Sequence, residues 1–178
     1  MWHAKPWLYG LAALTLLATA GPAAALTSDR SQPIRIQADR VTLDEARGVS
    51  VYEGRVHLTQ GSLKLTADRV QVFTAEKKLS RIEAEGDLAV LETQTDDGRE
   101  VHAESRRMEF RAAERTVILL EQARLTQGPN QFASERIVYD LEHAIVNAGD
   151  KSGGQRVEVV IVPETKEESS PAPQDTPQ

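Results

Sequence analysis

From Ile34 to Ile161 the apolar side chains of this chain recur at every second position, in short runs: Ile34/Ile36, Val41/Leu43, Val49/Val51, Val56/Leu58, Leu63/Leu65, Val70/Val72, Leu88/Val90, Met108/Phe110, Ile137/Tyr139 and Val157/Val159/Ile161. A period of two places each run on one face of an extended strand. The nearest approach to a helical stripe, Arg106 to Glu114, fails because Met108 and Phe110 alternate and the next run, Thr116-Val117-Ile118-Leu119-Leu120, is β-branched at its start. Turn signals separate the runs at Asp44 to Gly48, Gln60-Gly61, Ala75 to Lys78, Asp96-Asp97-Gly98, Gln127 to Asn130 and Gly149 to Gly154. The pattern predicts an all-β fold, an antiparallel meander of hairpins with little or no helix.

The chain also echoes itself. A shift of 67 residues lays Leu58-Thr59-Gln60-Gly61 on Leu125-Thr126-Gln127-Gly128, and with the same shift Arg40 falls on Arg107, Val41 on Met108, Leu43 on Phe110, Ala46 on Ala113, Val51 on Ile118, Arg69 on Arg136 and Val70 on Ile137. A shorter echo relates Ala38-Asp39-Arg40-Val41 to Ala67-Asp68-Arg69-Val70. Such a domain is built by stacking similar hairpins, none of which buries its apolar face alone. Those faces close on one another as a sandwich, a barrel or a folded-over jelly roll. The large fillers are few, Phe73, Phe110, Phe132, Tyr52 and Tyr139. The space between the sheets is therefore either ordinary core or a groove for an apolar guest.

Two terminal segments stand outside this pattern. Residues 1–25 combine Lys5, an apolar run from Trp7 to about Ala20, and Ala23-Ala24-Ala25, the three parts of a cleavable secretory signal. The run is interrupted by Gly10, Thr15 and Thr19 and falls short of the ~20 apolar residues of a membrane-spanning helix. An exported protein of the periplasm is expected. Residues 164–178 are rich in Glu, Ser, Pro and Gln, without a large apolar side chain to offset the entropy of ordering them, and read as a disordered polar tail. The folding domain is assigned to residues 26–163.

Composition removes several function classes. The chain has no cysteine, which excludes disulfide staples, thiol catalysis and cysteine-ligated metal. A net charge of -6 and eight aromatic residues (2 Trp, 3 Tyr, 3 Phe) suit neither a phosphate backbone nor stacked bases, so no nucleic-acid partner is expected. His57, His102 and His143 are far apart, and neither His-x-x-x-His, Gly-x-Ser-x-Gly nor a phosphate-cradling glycine loop occurs. The carboxylates are interleaved with Arg and Lys as on a solvated sheet. No catalytic residue, metal site or cofactor is expected, which leaves a binding or carrier protein and a structural scaffold.

Three stretches carry a family likeness: Gln32-Pro33-Ile34-Arg35-Ile36-Gln37-Ala38-Asp39, the segment Gly54-Arg55-Val56-His57-Leu58-Thr59-Gln60-Gly61 continuing to Leu63-Lys64-Leu65-Thr66-Ala67-Asp68-Arg69-Val70, and Arg156-Val157-Glu158-Val159-Val160-Ile161-Val162-Pro163. With them the chain resembles the LptA/OstA family of periplasmic lipopolysaccharide-transport proteins, over about Gln32 to Pro163. The resemblance implies a twisted, open β-jelly roll whose apolar interior carries lipid A acyl chains from the inner to the outer membrane. It also implies LptC-like and LptD-like partners and end-to-end self-association. Exposing an acyl chain of about ten methylenes to water costs roughly 8 kcal/mol, a barrier that an apolar groove removes without chemistry.

The residues assigned to lipid are Ile34, Ile36, Val56, Leu65, Leu91, Met108 and Phe110. Leu58, Leu65, Val70, Leu125 and Ile137 recur under the repeat and read as framework. The sheet ends, Ile34 and Ile36 on one side and Val157, Val159 and Ile161 on the other, are the expected partner edges, since a terminal strand exposes unpaired backbone donors and acceptors. The alternative function is a periplasmic scaffold with the same fold and edges and no lipid guest.

Overall fold

A computed structural model describes residues 31–95, 97–149 and 156–163. The expected signal segment and polar tail lie outside the described residues, as does most of the Gly149 to Gly154 turn. Ten strands follow one another: β1 (Arg35–Gln37), β2 (Arg40–Asp44), β3 (Val49–Gln60), β4 (Leu63–Ala75), β5 (Lys78–Gln94), β6 (Glu100–Arg111), β7 (Thr116–Gln127), β8 (Asn130–Asp140), β9 (Ile145–Ala148) and β10 (Glu158–Val160). They form one antiparallel sheet in which β3 to β8 pair in chain order. At one edge β1 and β2 both pair with β3, and at the other β9 and β10 both pair with β8. The sheet is not closed, in agreement with the open all-β jelly roll expected from the sequence.

Each of the long pairings breaks its register near mid-length: between Glu53 and Val56, Thr66 and Arg69, Glu85 and Ala89, Glu104 and Arg107, and Leu120 and Ala123. Aligned across neighbouring strands, these bulges make a crease, because each sharpens the local bend and twist of its strand. The crease folds the sheet on itself. Tyr139 pairs with Val117 on β7, so in a flat sheet it would stand on the order of 30 Å from Gln127, ten residues further along that strand. Instead the Gln127 amide donates a hydrogen bond to the Tyr139 hydroxyl at 3.2 Å.

The short echo in the sequence is the crease itself. Ala38-Asp39-Arg40-Val41 spans the gap from β1 to β2, and Ala67-Asp68-Arg69-Val70 bends β4. Ser105-Arg106-Arg107-Met108 and Ser134-Glu135-Arg136-Ile137 occupy the same places in β6 and β8. In each, a small residue sits at the bend, an arginine follows on the outer face, and an apolar residue returns to the interior.

The repeat also extends to backbone conformation. Positive φ angles recur 67 residues apart at Gly48 and Arg115, Gly54 and Glu121, Arg55 and Gln122, Gly61 and Gly128, and Lys77 and Ala144.

Registers across the sheet define apolar rungs on the inner face. On one side of the crease Ile36, Leu58, Leu65, Leu91, Ala103, Leu125, Phe132 and Val159 stand opposite one another in turn, from β1 to β10. On the other side Val41, Tyr52, Val70, Ala84, Met108, Leu119, Ile137 and Ala148 do the same from β2 to β9. The 67-residue shift carries Ile36, Leu58 and Leu65 onto Ala103, Leu125 and Phe132, and Val41, Tyr52 and Val70 onto Met108, Leu119 and Ile137, four strands further along the sheet. On the outer face Arg40, Glu53, Arg69, Glu85 and Arg107 form a rung of alternating charge, with Arg69 at 3.7 Å from Glu53 and 3.8 Å from Glu85. This is the solvated face anticipated from the scattered carboxylates.

Candidate functional site

The interior between the two halves of the folded sheet is the candidate site. Its floor is densely packed: Val56, Val70, Ala89, Leu119 and Ile137 are fully buried. A small apolar cavity of about 60 Å³ remains toward the β1/β3–β5 side. Leu58, Leu65 and Leu91 line it from one half of the sheet, and Ile82, Ala84, Met108, Phe110 and Val117 from the other. Ile34, Gln60, Leu63 and Leu79 carry the cavity outward to the rim opposite the crease.

Five of the seven residues assigned to lipid from the sequence, Ile34, Leu65, Leu91, Met108 and Phe110, meet around this cavity. They come from both sides of the crease, so folding along the bulge line is what brings them together. Ile36 packs against the core beside them without lining the space. Val56 is fully buried where β3 leaves the crease, opposite Ala67. The sequence reading did not single out Ile82, Ala84 or Val117. Ile82 and Ala84 alternate at period two and precede a bulge, so the pattern held the signal. The cavity has room for a few water molecules and not for a whole acyl chain. An acyl guest therefore requires the two halves to separate or their side chains to rotate.

Of the expected partner-edge residues, Ile34, Val157, Val159 and Ile161 are exposed and Ile36 is half-buried. Val159 is 46% accessible and Ile161 69%, while Ile34 and Val157 are each 38% accessible. Ordered pairing of the last run is limited to the three residues of β10, Glu158–Val160, against Gln131–Ala133 of β8. At the opposite edge Val41 and Leu43 on β2 are 52% and 64% exposed, although Val70, two strands further along the rung of Val41, is fully buried. The rungs thus run out of partners at both edges with apolar side chains still showing.

Among the described residues no group of three or more His, Asp or Glu side chains could hold a metal ion. Apart from that of Tyr139, the displaced pKa values belong to surface ion pairs and turns. Hydrogen bonds from Arg55 hold the Asp39 carboxyl below its usual range. At the β8–β9 turn, hydrogen bonds from the His143 backbone and ring hold Asp140 at about 2. The buried Tyr139 phenol is pushed up by desolvation.

A creased, edge-open sheet with apolar rungs inside and charged rungs outside defines a class, the open β-jelly rolls. Comparison with known proteins narrows it. Residues 35–144 match the family described as LptA/(LptD N-terminal domain) LPS transport protein, and the chain belongs to that family. It is 37% identical over 169 residues to the lipopolysaccharide export system protein LptH of Pseudomonas aeruginosa, covering 90% of this chain and 95% of that one. It is 34% identical over 154 residues to the lipopolysaccharide export system protein LptA of Escherichia coli K12, covering 85% of this chain and 82% of that one. The crystal structure of LptH, the LptA-homologous periplasmic component of the lipopolysaccharide transport device of Pseudomonas aeruginosa, superposes with a TM-score of 0.70 at 38% identity. That superposition covers 76% of this chain and 99% of LptH. The family is one of transport proteins, not enzymes.

Proposed function

We propose that this protein is a periplasmic carrier that holds lipopolysaccharide acyl chains between the halves of its folded sheet and passes them toward the outer membrane. The observation that carries this reading is the pair of apolar rungs that cross the sheet from edge to edge. They provide a continuous low-cost path for methylene groups, and edge-to-edge docking of a second copy or of an LptC-like or LptD-like domain would lengthen it. The chain's net charge of -6 does not oppose the lipid phosphates if sugars and phosphates stay at the rim while the tails enter. The reading is supported by names: the relatives are lipopolysaccharide export proteins, and LptH is termed periplasmic.

Photo-crosslinking side chains placed at Ile36 and Phe110 in cells, with outward-facing Arg40 as control, test this proposal. Lipopolysaccharide adducts from the two interior positions and none from Arg40 are expected. Their absence from all three positions would favour the scaffold reading, to which the tight packing of the interior lends weight.

A further inference from the structure

Among the described residues the buried polar side chains besides Tyr139 are Thr95, Ser105 and Gln127; Ser105 donates locally to the Arg107 carbonyl at the crease, whereas Gln127 reaches across the interior. Gln127 and Tyr139 are 6% and 1% exposed, and the hydrogen bond between them joins the two halves of the folded sheet through the interior. Gln127 ends β7 on one side of the crease, and Tyr139 lies near the end of β8 on the other, so the contact closes the rim opposite the crease. The β5–β6 turn beside this contact is internally braced: Thr95 there is buried and hydrogen-bonded to Asp97 and Arg99, and the Gly128 amide ties the end of β7 to the start of β6 by donating to the Glu100 carbonyl at 3.0 Å.

The repeat supplies an internal control. Shifting back by 67 residues replaces Gln127 by Gln60 and Tyr139 by Val72. Without a phenol opposite it, the Gln60 amide donates instead to the Gln32 carbonyl at 3.2 Å, and the rim beside it holds the apolar cavity bounded by Ile34, Leu63 and Leu79. The same fold is therefore slack at its N-terminal rim and fastened at its C-terminal rim. At this pair of positions the difference is one hydroxyl-bearing ring set against a glutamine. A buried hydrogen bond of this kind resists separation because opening it strands two desolvated polar groups.

We propose that Gln127 and Tyr139 form a clasp that keeps the C-terminal half of the interior shut, so that an acyl chain enters at the Leu63–Leu79 rim and advances to Phe132 only when the clasp opens. This role rests on the carrier reading above.

The test uses Tyr139→Phe, which removes the hydroxyl and keeps the ring, and Gln127→Leu, which removes the partner from the β7 side and covers the case in which one variant fails to fold. Hydrogen exchange reads the rim without lipid. Amides of residues 125–127 and 137–139 are expected to exchange at least tenfold faster in either variant, with residues 58–65 unchanged. Photo-crosslinking from Phe132 is then expected to give several-fold more lipopolysaccharide adduct relative to Phe110 than in the parent. Unchanged exchange at the C-terminal rim overturns the clasp. Faster exchange with an unchanged ratio of adducts overturns its control of passage. Faster exchange with no adduct from either position overturns the carrier reading and leaves the clasp as a structural fastening.

Discussion

Asp39 and Arg55 meet across the crease as a fork, Nη2 donating to Oδ1 at 2.6 Å and Nε to Oδ2 at 3.2 Å. The pair sits where β1 gives way to β2 and where β3 bulges, and the Asp39 amide also donates to the Gly54 carbonyl at 3.0 Å. Both side chains are solvated, so the ion pair itself adds little to stability. The fork depends instead on the backbone of Gly54, whose φ is +80° and whose missing Cβ would lie 2.5 Å from Asp39 Oδ2. Gly54→Val is expected to cost about 1–3 kcal/mol through backbone strain and this clash. Asp39→Asn is expected to leave the thermal midpoint nearly unchanged. Parallel melting curves of the two variants check whether backbone geometry or charge holds the crease; equal losses would contradict this account.

Much of this architecture is legible in the sequence, and the crease shows where reading it stops. The hairpins follow from period-two runs, and Gly61, Gly98 and Gly128 mark turns because all three adopt positive φ. Some bulges are written as changes of parity: Ile36 to Val41 and Val70 after Leu65 each move the inner apolar series from even to odd numbers or back, whereas in β3 Gly54 and Arg55 are extruded together and Tyr52 and Val56 keep the same parity. In β7 two residues, Glu121 and Gln122, are extruded together, so Leu119 and Ala123 keep the same parity and the pattern conceals the bend. Arg115 and Glu121 adopt the conformations that Gly48 and Gly54 adopt in the first repeat, and no glycine announces them. Ile118 is buried on the face opposite Leu119, which alternation cannot express. The candidate cavity was partly readable, because its lining residues are alternating apolar positions. Which of them face one another depends on the fold across the crease, a relation between distant strands.

The cavity gives a second prediction. Ala84 is buried and faces this space from the rung that also contains Val70 and Met108. Ala84→Val adds two methyl groups where about 60 Å³ is free. Filling a void typically raises stability by about 0.5–2 kcal/mol. The same change obstructs the interior, so lipopolysaccharide adducts from Phe110 are expected to fall while the melting temperature rises. A rise in both would show that acyl chains do not use this space.

The β8–β9 turn carries a pH dependence. Asp140 Oδ1 accepts hydrogen bonds from the amides of Glu142 and His143 at 2.8 and 2.9 Å, and Oδ2 lies 2.9 Å from His143 Nδ1. The Asp140 carboxyl is held at about 2 and the His143 imidazole is raised by its hydrogen bond to Asp140. A lowered carboxyl stabilises the fold above its unfolded value of about 4 and loses that contribution as the pH falls toward 2. A raised imidazole stabilises below its unfolded value of about 6.5 and loses its contribution as the pH climbs through the folded value. The turn is therefore tightest from about pH 4 to 6.5. Amide exchange of residues 145–148, corrected for intrinsic pH dependence, is expected to show greatest protection in that window. His143→Ala should remove the loss on its alkaline side.

The two edges offer the sharpest test of assembly. Val41 on β2 and Val159 on β10 are inner-face residues at opposite ends of the sheet, each half exposed and each the last member of its rung. If copies join β9/β10 to β1/β2, the contact is head to tail and open-ended, so it propagates. A lysine at either position places a charge on the face that the next copy's rung must continue. Val41→Lys is then expected to retain only the C-terminal edge and Val159→Lys only the N-terminal edge. Each variant alone should sediment as a monomer at concentrations where the parent forms a ladder of species. Mixed in equal amounts, the two should yield a dimer and nothing larger, since one competent edge of each kind remains. Dimers of either variant alone would mean that like edges join, and an equal mixture that stays monomeric while the parent self-associates would mean that the two remaining edges do not meet; in both cases the rungs would not continue from copy to copy.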